Sequence, residues 1–277
     1  MKIAILGRGP EGRFPENAAK LQEAASKSGA TLCYFDPREG LPEGTDVLLT
    51  LGGDGTFLSS LPCVRDSGIP VVGINLGRLG FLTAAEADSA AEALAAIIRG
   101  DYSVRERSLL MVTPEEASLP EGFYPYALNE ISFSGERREM VAVALTIDSR
   151  RLPVFWADGL VVATPTGSTA WSLSLGGPIV LPDSQVAVIT PIAPHNLNVR
   201  PMVVPLDASI EVTVTSVRGQ VVLSADDRTA VFASPFRARI TRGDFSLRCI
   251  SLSDNNFIDA LRSKLHWGED GRQNHKL

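Results

Sequence analysis

Residues 46–61, DVLLTLGGDGTFLSSL, constrain the fold of this chain more than any other stretch. Asp46 to Leu51 is an apolar run of the length and composition of a buried strand. Gly52-Gly53-Asp54-Gly55-Thr56 breaks it, and a helical pattern follows with Phe57, Leu58 and Leu61 on one side. A strand that ends in three glycines and turns into a helix suits phosphate binding. Glycines let the backbone approach an anion and aim N–H groups at it, and the helix N-terminus adds favourable dipole charge. Asp54 cannot itself be a phosphate ligand. A carboxylate beside phosphates either holds a metal ion or takes the proton of an attacking hydroxyl. A bare GDG tripeptide also reads as a tight turn with Asp54 as N-cap; five such residues after so clear a strand shift the reading toward phosphate chemistry.

With 277 residues the chain is long enough for one large domain or two smaller ones. A net charge of −6 gives no general basic surface, so neither nucleic acid nor an anionic membrane is expected as a partner. Cys33, Cys63 and Cys249 are odd in number, far apart and without metal-ligand spacing, which points to reduced thiols and a cytoplasmic location. The opening MKIAILGRG is too short an apolar run for a signal peptide, and no stretch approaches a membrane span.

Lys2–Leu6 reads as a first strand, followed by Gly7-Arg8-Gly9-Pro10-Glu11-Gly12, a formal GxGxxG. Asp36 closes the next strand, 31–35, where a ribose-binding acid would stand, so a nicotinamide-dependent dehydrogenase is an alternative. Pro10 inside the fingerprint, the flanking arginines and a helix that starts only near Glu16 favour a polar loop instead. A fourth strand, 69–74, leads into a second glycine-rich segment, 75–82, and residues 87–99 form an amphipathic helix capped by Gly100. Alternating strands and helices predict a parallel sheet whose ligands lie beyond the strands' carboxyl ends, where the loops 52–55 and 77–80 would meet.

After Arg105 the helical periods nearly vanish, and β-type runs follow at 106–113, 127–133, 141–148, 159–163, 186–190, 209–215, 219–224, 229–233 and 237–242. The expected architecture is α/β plus all-β: a Rossmann-like domain over 1–105, an all-β domain over 106–245, and a segment, 246–277, returning to the first domain with a helix at 256–267. Chemistry in the β region gathers at 158–177, where a strand enters a turn with Thr164, Thr166, Ser168 and Thr169 and then Trp171. The hydroxyls offer hydrogen bonds to a polar ligand and the indole a flat face for a base. An ST-rich turn capping a helix, with Trp171 in the core, fits the spacing equally well.

The chain resembles the NAD kinase family. The resemblance rests on GGDGT (52–56), NLGRLGFL (75–82), Asn129-Glu130, DGLVVATPTGSTAWSLSLGGPIV (158–180) and PIAPHNLNVRP (191–201), with a weaker echo in the closing FIDALRSKLHW. The long 158–180 segment separates this family from the diacylglycerol-type lipid kinases, an alternative that shares the glycine-rich loop. The resemblance implies phosphorylation of the adenosine-ribose 2′-hydroxyl of NAD by ATP or another phosphoryl donor with a divalent metal, Mg2+ by preference, in a homo-oligomer (dimer or tetramer). Asp54 matches the family's proton acceptor, with Gly55 in the same site, and Gly52, Gly53, Gly55 and Thr56 would hold the donor's phosphates. Asn129, Glu130 and Asp158 match NAD-binding positions, as do Thr166, Thr169, Ala170, Trp171, Ser172, Leu173 and Ser174; Ala193 and His195 complete the set. Two departures stand out: Trp171 replaces a usual Tyr, and Asp226-Asp227-Arg228 replaces a DGQ-like turn, which puts a ligand contact there in doubt.

Overall fold

A computed structural model describes residues 1–7, 15–75, 80–136, 139–252 and 257–266. Two compact units emerge: Met1–Cys63 with Ile69–Arg105 and Arg248–Leu277, and Val64–Gly68 with Glu106–Leu247.

The first unit is built on parallel strands in the order Thr31–Tyr34, Lys2–Leu6, Val47–Leu51, Val71–Asn75, and Cys249 adds the late strand Phe236–Ser251 beside Val71. Val47–Leu51 and Val71–Asn75 are buried at every residue. That is the burial of a parallel strand covered on both faces, and it is why these segments read as unbroken apolar runs rather than alternating ones. Helices Pro15–Lys27 and Ala90–Arg99 supply the cover through Leu21, Ala25, Ala90, Leu94 and Ile97. Gly100 ends the second of these in the left-handed conformation, φ 81°, as a helix C-terminus commonly requires.

The second unit is antiparallel. One sheet runs Met202–Pro205, Val186–Ile192, Gly159–Ala163, Glu130–Gly135, Gln220–Ala225, Arg228–Ala233. Another holds Val141–Ile147 between Phe155–Ala157 and Ile210–Ser216. Val141–Ile147 and Ile210–Ser216 alternate between buried and less buried residues, as a one-sided sheet should. Gly159–Ala163 departs from this, being buried throughout. Leu160 and Val162 face the main core, while Val161 and Ala163 form a separate cluster with Val188, covered by Leu175 and Val180. The segment that follows this strand therefore folds back over the strand's second face.

Several boundaries differ from the sequence expectation. The run 127–133 is two strands, Tyr126–Ala127 and Glu130–Gly135, and the run 237–242 is part of a strand reaching Phe236–Ser251. Short strands at Phe155–Ala157 and Met202–Pro205 carry too little pattern to read. The terminal helix spans Phe257–Leu265; of the expected residues, 266 lies beyond it, and 256 and 267 lie outside the described residues. No helix among the described residues is long and apolar enough to cross a membrane.

Candidate active site

In the first unit the chemistry gathers where strand Val47–Leu51 ends. Gly52 belongs to the sheet as much as to the loop: its N–H donates to Ile74 O at 3.0 Å. A Cβ on Gly52 would stand 2.2 Å from Thr56 Oγ1, so the turn requires glycine there. Gly53 is the extended N-cap of the short helix Asp54–Leu58, which excludes the reading of Asp54 as that cap. The first-turn N–H groups of Asp54 and Gly55 have no intrahelical acceptor, and Gly53 and Gly55 are exposed. The helix breaks after Leu58, where Ser60 Oγ donates to Phe57 O at 2.6 Å, and a new turn runs Leu61–Val64.

Asp54 reaches the second glycine-rich segment. Its Oδ2 accepts the Phe81 N–H at 2.8 Å and its Oδ1 accepts the Leu82 N–H at 3.1 Å. A Cβ on Gly80 would sit 1.7 Å from Oδ1, so this close approach of carboxylate and backbone depends on that glycine. The two loops expected to meet do so at residues 80–82; Leu76 to Leu79 lie outside the described residues. The terminal helix adds Lys264, whose Nζ lies 4.2 Å from the centroid of the Phe81 ring, while Phe257 packs on the same ring. Burial pushes the Lys264 ammonium below its usual range, opposed by the negative charge of Asp54. Sequence reasoning missed Lys264. The signal was available, because Lys264 is two helical turns from Phe257 and shares its face.

In the second unit Asn129 and Glu130 stand at the start of strand Glu130–Gly135, beside the end of Gly159–Ala163. The ST-rich turn is locked onto them. Thr164 N–H donates to Asn129 O at 2.8 Å and Thr164 Oγ1 to Leu128 O at 2.6 Å. Gly167 lies so close that a Cβ would be 2.0 Å from Asn129 O. Ser168 Oγ donates to Pro165 O and accepts the Val180 N–H, and Ser172 shares a buried hydrogen bond with Thr190. Thr164, Ser168 and Ser172 thus hold the segment in shape, and among the described hydroxyls Thr166 has no hydrogen bond of that kind. A 3₁₀ turn, Thr166–Thr169, precedes the helical turn Trp171–Ser174, in place of a helix from Ser168. Trp171 is 41% exposed, so it is not a core residue. The Trp171 backbone N–H donates to the Glu130 carboxyl.

The remaining expected NAD-binding residues stand elsewhere. Asp158 N–H donates to Ile192 O, His195 N–H to Trp156 O, and Ala193 has φ 44°. Asp158, Ala193 and His195 thus gather at the opposite end of strand Gly159–Ala163, roughly 13 Å away by strand rise. Asp226, where a ligand contact is in doubt, is buried at φ 52° with its carboxylate turned inward on the backbone of residues 128–130. Gly7 serves the sheet: a Cβ there would meet Leu51 O at 2.9 Å. The rest of the GxGxxG, residues 8–12, lies outside the described residues.

The chain is similar to known proteins over most of its length. Residues 16–102 match the model of the ATP-NAD kinase N-terminal domain and residues 128–252 that of the ATP-NAD kinase C-terminal domain. An NAD kinase of Bacteroides fragilis is 36% identical, covering 98% of this chain and 100% of the relative. One of Porphyromonas gingivalis is 43% identical over 82% of this chain and 78% of the relative. Among solved structures, an NAD kinase from Archaeoglobus fulgidus in complex with ATP is similar with TM-score 0.78 and 25% identity, over 96% of this chain and 99% of that one. Yeast NADH kinase complexed with NADH shares the fold with TM-score 0.84 at 23% identity, over 99% of this chain and 90% of that one.

Proposed function

The chain belongs to the NAD kinase family, and we propose that it transfers the terminal phosphoryl group of ATP to the 2′-hydroxyl of the adenosine ribose of NAD, with Asp54 as proton acceptor. The observation that carries this reading is the Asp54 carboxylate, fixed by the Phe81 and Leu82 N–H groups at the mouth of a strand–glycine–helix loop. Each carboxylate oxygen that accepts one backbone bond keeps a further lone pair for a ribose hydroxyl. As the new bond from ribose oxygen to phosphorus forms, the bond from phosphorus to the leaving ADP oxygen breaks, and the hydroxyl proton passes to Asp54. The N–H groups of Gly53, Asp54 and Gly55 receive the donor's phosphates, and Lys264 adds positive charge beside them.

Asn129, Glu130, Thr166 and Trp171 bind the dinucleotide, with Asp158, Ala193 and His195 as a second group of contacts. Trp171 lies over a base or nicotinamide ring, as its exposed face permits. A divalent metal ion, Mg2+ by the family resemblance, fits this donor set. Mg2+ is ordinarily held by one or two carboxylates together with substrate phosphates and water. Among the described residues no three His, Cys, Asp or Glu side chains converge. Asp54 would hold the metal ion, and it would neutralise phosphate charge. The chain works as a homo-oligomer, dimer or tetramer, in the cytoplasm; its scattered thiols, which form no disulfide, support the reducing compartment.

Incubation with NAD, ATP and Mg2+, followed by an assay strictly specific for NADP, tests the reading. NADP and ADP should appear in equal amounts, and excess chelator should stop turnover. Interconversion of NAD and NADH without ATP consumption would return the chain to the dehydrogenase alternative.

A further inference from the structure

Two acidic side chains are buried at one corner of the second unit with unequal support. Asp226 lies between strands Gln220–Ala225 and Arg228–Ala233. Its carboxylate accepts the N–H groups of Leu128 at 2.9 Å, Asn129 at 2.8 Å and Glu130 at 3.2 Å, and the Arg228 guanidinium lies 3.5 Å away. Asp226 N–H in turn donates to Glu130 O at 2.9 Å. Arg228 is itself pinned, its Nη2 donating to Tyr126 O at 2.6 Å and its Nε to Tyr124 O at 3.3 Å. The Glu130 carboxyl accepts the Trp171 N–H, and its Oε2 is buried without a protein partner.

Two carboxylates in one buried corner do not both ionise readily. The donors decide which does. Burial raises Asp226 on balance, and three backbone N–H groups and a guanidinium act against that rise; these donors favour ionisation at Asp226 over Glu130, which has one. Glu130 is pushed up to about 8, first by burial and then by the charge of Asp226, against the single Trp171 bond. Among the described residues no other ionisable group bears on it from the elements around it. The 166–174 segment contributes only the Trp171 N–H, strand Gly159–Ala163 carries no ionisable side chain, and Arg228 acts through Asp226.

We propose that Asp226 is the positioning residue of the dinucleotide pocket: its carboxylate fixes the Asn129–Glu130 corner by three backbone bonds and, as the ionised member of the pair, keeps on Glu130 a proton that Glu130 donates to an oxygen of the bound dinucleotide. The otherwise orphaned Oε2 is thereby satisfied only when ligand is present. This rests on the reading that Asn129 and Glu130 bind NAD; Asp226 touches no ligand itself.

Calorimetric titration of the full chain with NAD, and separately with ATP, across a pH series tests it. The dissociation constant for NAD should rise roughly tenfold per pH unit above the point where Glu130 loses its proton, and that for ATP should not follow. Glu130→Gln should abolish this break. Asp226→Asn should weaken NAD binding at least about tenfold, with the loss falling on NAD rather than ATP. It should also move the break to lower pH, because the neighbouring charge is gone. An unmoved break in Asp226→Asn, or a break that survives in Glu130→Gln, overturns the proposal. Should Asp226→Asn fail to fold, infrared difference spectra of the unaltered chain decide: the carboxylic-acid carbonyl band must be present at neutral pH and absent in Glu130→Gln. If Asn129→Ala and Glu130→Ala both left NAD affinity untouched, the pocket assignment itself would fall. NAD binding that depends on Glu130 yet is flat with pH would remove only the proton.

Discussion

Asp54 and Glu130 are both carboxylates at the edge of a sheet, and their surroundings set them to opposite tasks. Asp54 is half-buried, accepts two backbone N–H bonds and has the Lys264 ammonium nearby. Glu130 has one backbone bond, one buried oxygen without a partner, and a second carboxylate for a neighbour. The first arrangement fixes a carboxylate between two loops; the second favours a neutral acid able to donate a hydrogen bond. Residue type therefore says little about role. The count of N–H donors and the sign of the nearest charge say much more.

Asp54→Asn is the most severe way to break the comparison. It keeps the size of the side chain but removes the base, and general-base assistance is typically worth roughly 10²–10⁴-fold. Turnover measured by NADP formation should fall at least about a hundredfold, with NAD still bound and the melting temperature near normal. Retention of most turnover would make Asp54 a structural tie between the two loops. Gly80→Ala attacks the same carboxylate without altering it. The new methyl would overlap Oδ1, so turnover should drop by about ten- to a hundredfold through displacement of Asp54, and circular dichroism should show the sheet intact.

Trp171→Ala moves the test to the other region. If the exposed ring stacks on a base, NAD affinity should weaken by ~1–3 kcal/mol in calorimetry while ATP affinity holds. Trp171→Tyr should be mild, and equal losses for both ligands with a lower melting temperature would argue for a packing role. The smallest expected effect sharpens the contrast between the two carboxylates. Because Glu130 is raised from 4.5 to about 8, the folded chain holds a proton in that window that the unfolded chain has released. Its contribution to stability therefore falls as pH rises from the lower value to the higher one. Glu130→Gln removes the fall, so its melting temperature should exceed that of the unaltered chain by a few degrees near pH 8 and converge with it in acid. A constant difference across pH would show that Glu130 is ionised throughout.

The first unit was legible because its signals are local. The Val47–Leu51 run, the glycines after it and the Gly100 cap each act within a few residues. What escaped is held by partners distant in sequence. Strand 127–133 breaks at Leu128 and Asn129 because Asp226 takes their N–H groups and Thr164 bonds both of their carbonyls. Arg242-Gly243-Asp244 has the composition of a turn, yet the strand runs through it. The glycine is needed there because a Cβ would press within 3.0 Å of Leu109 Cβ, and Asp244 accepts a bond from the Tyr126 hydroxyl. Of the site, the GGDGT loop and the 158–180 segment were visible as motifs. The clasp by Asp226 was not, since an acid in a turn looks like solvated surface until its neighbours are known; Lys264 was missed although its shared face with Phe257 could have marked it.

The pairing of Cys249 beside Val71 in the first unit has a consequence for the order of events during synthesis. Val71 leaves the ribosome 178 residues before its partner, the difference of 249 and 71, and at about 5–20 residues per second that is a wait of roughly 10–35 s. Throughout it, strand Val71–Asn75 lacks its later neighbour, and Asp54 lacks the lysine that the terminal helix brings. The polypeptide between can condense on its own meanwhile, because the contacts that define the second unit fall within Val64–Leu247. A nascent chain halted before residue 249 should therefore be protease-resistant over the inserted unit and chaperone-bound at the strands that were made first.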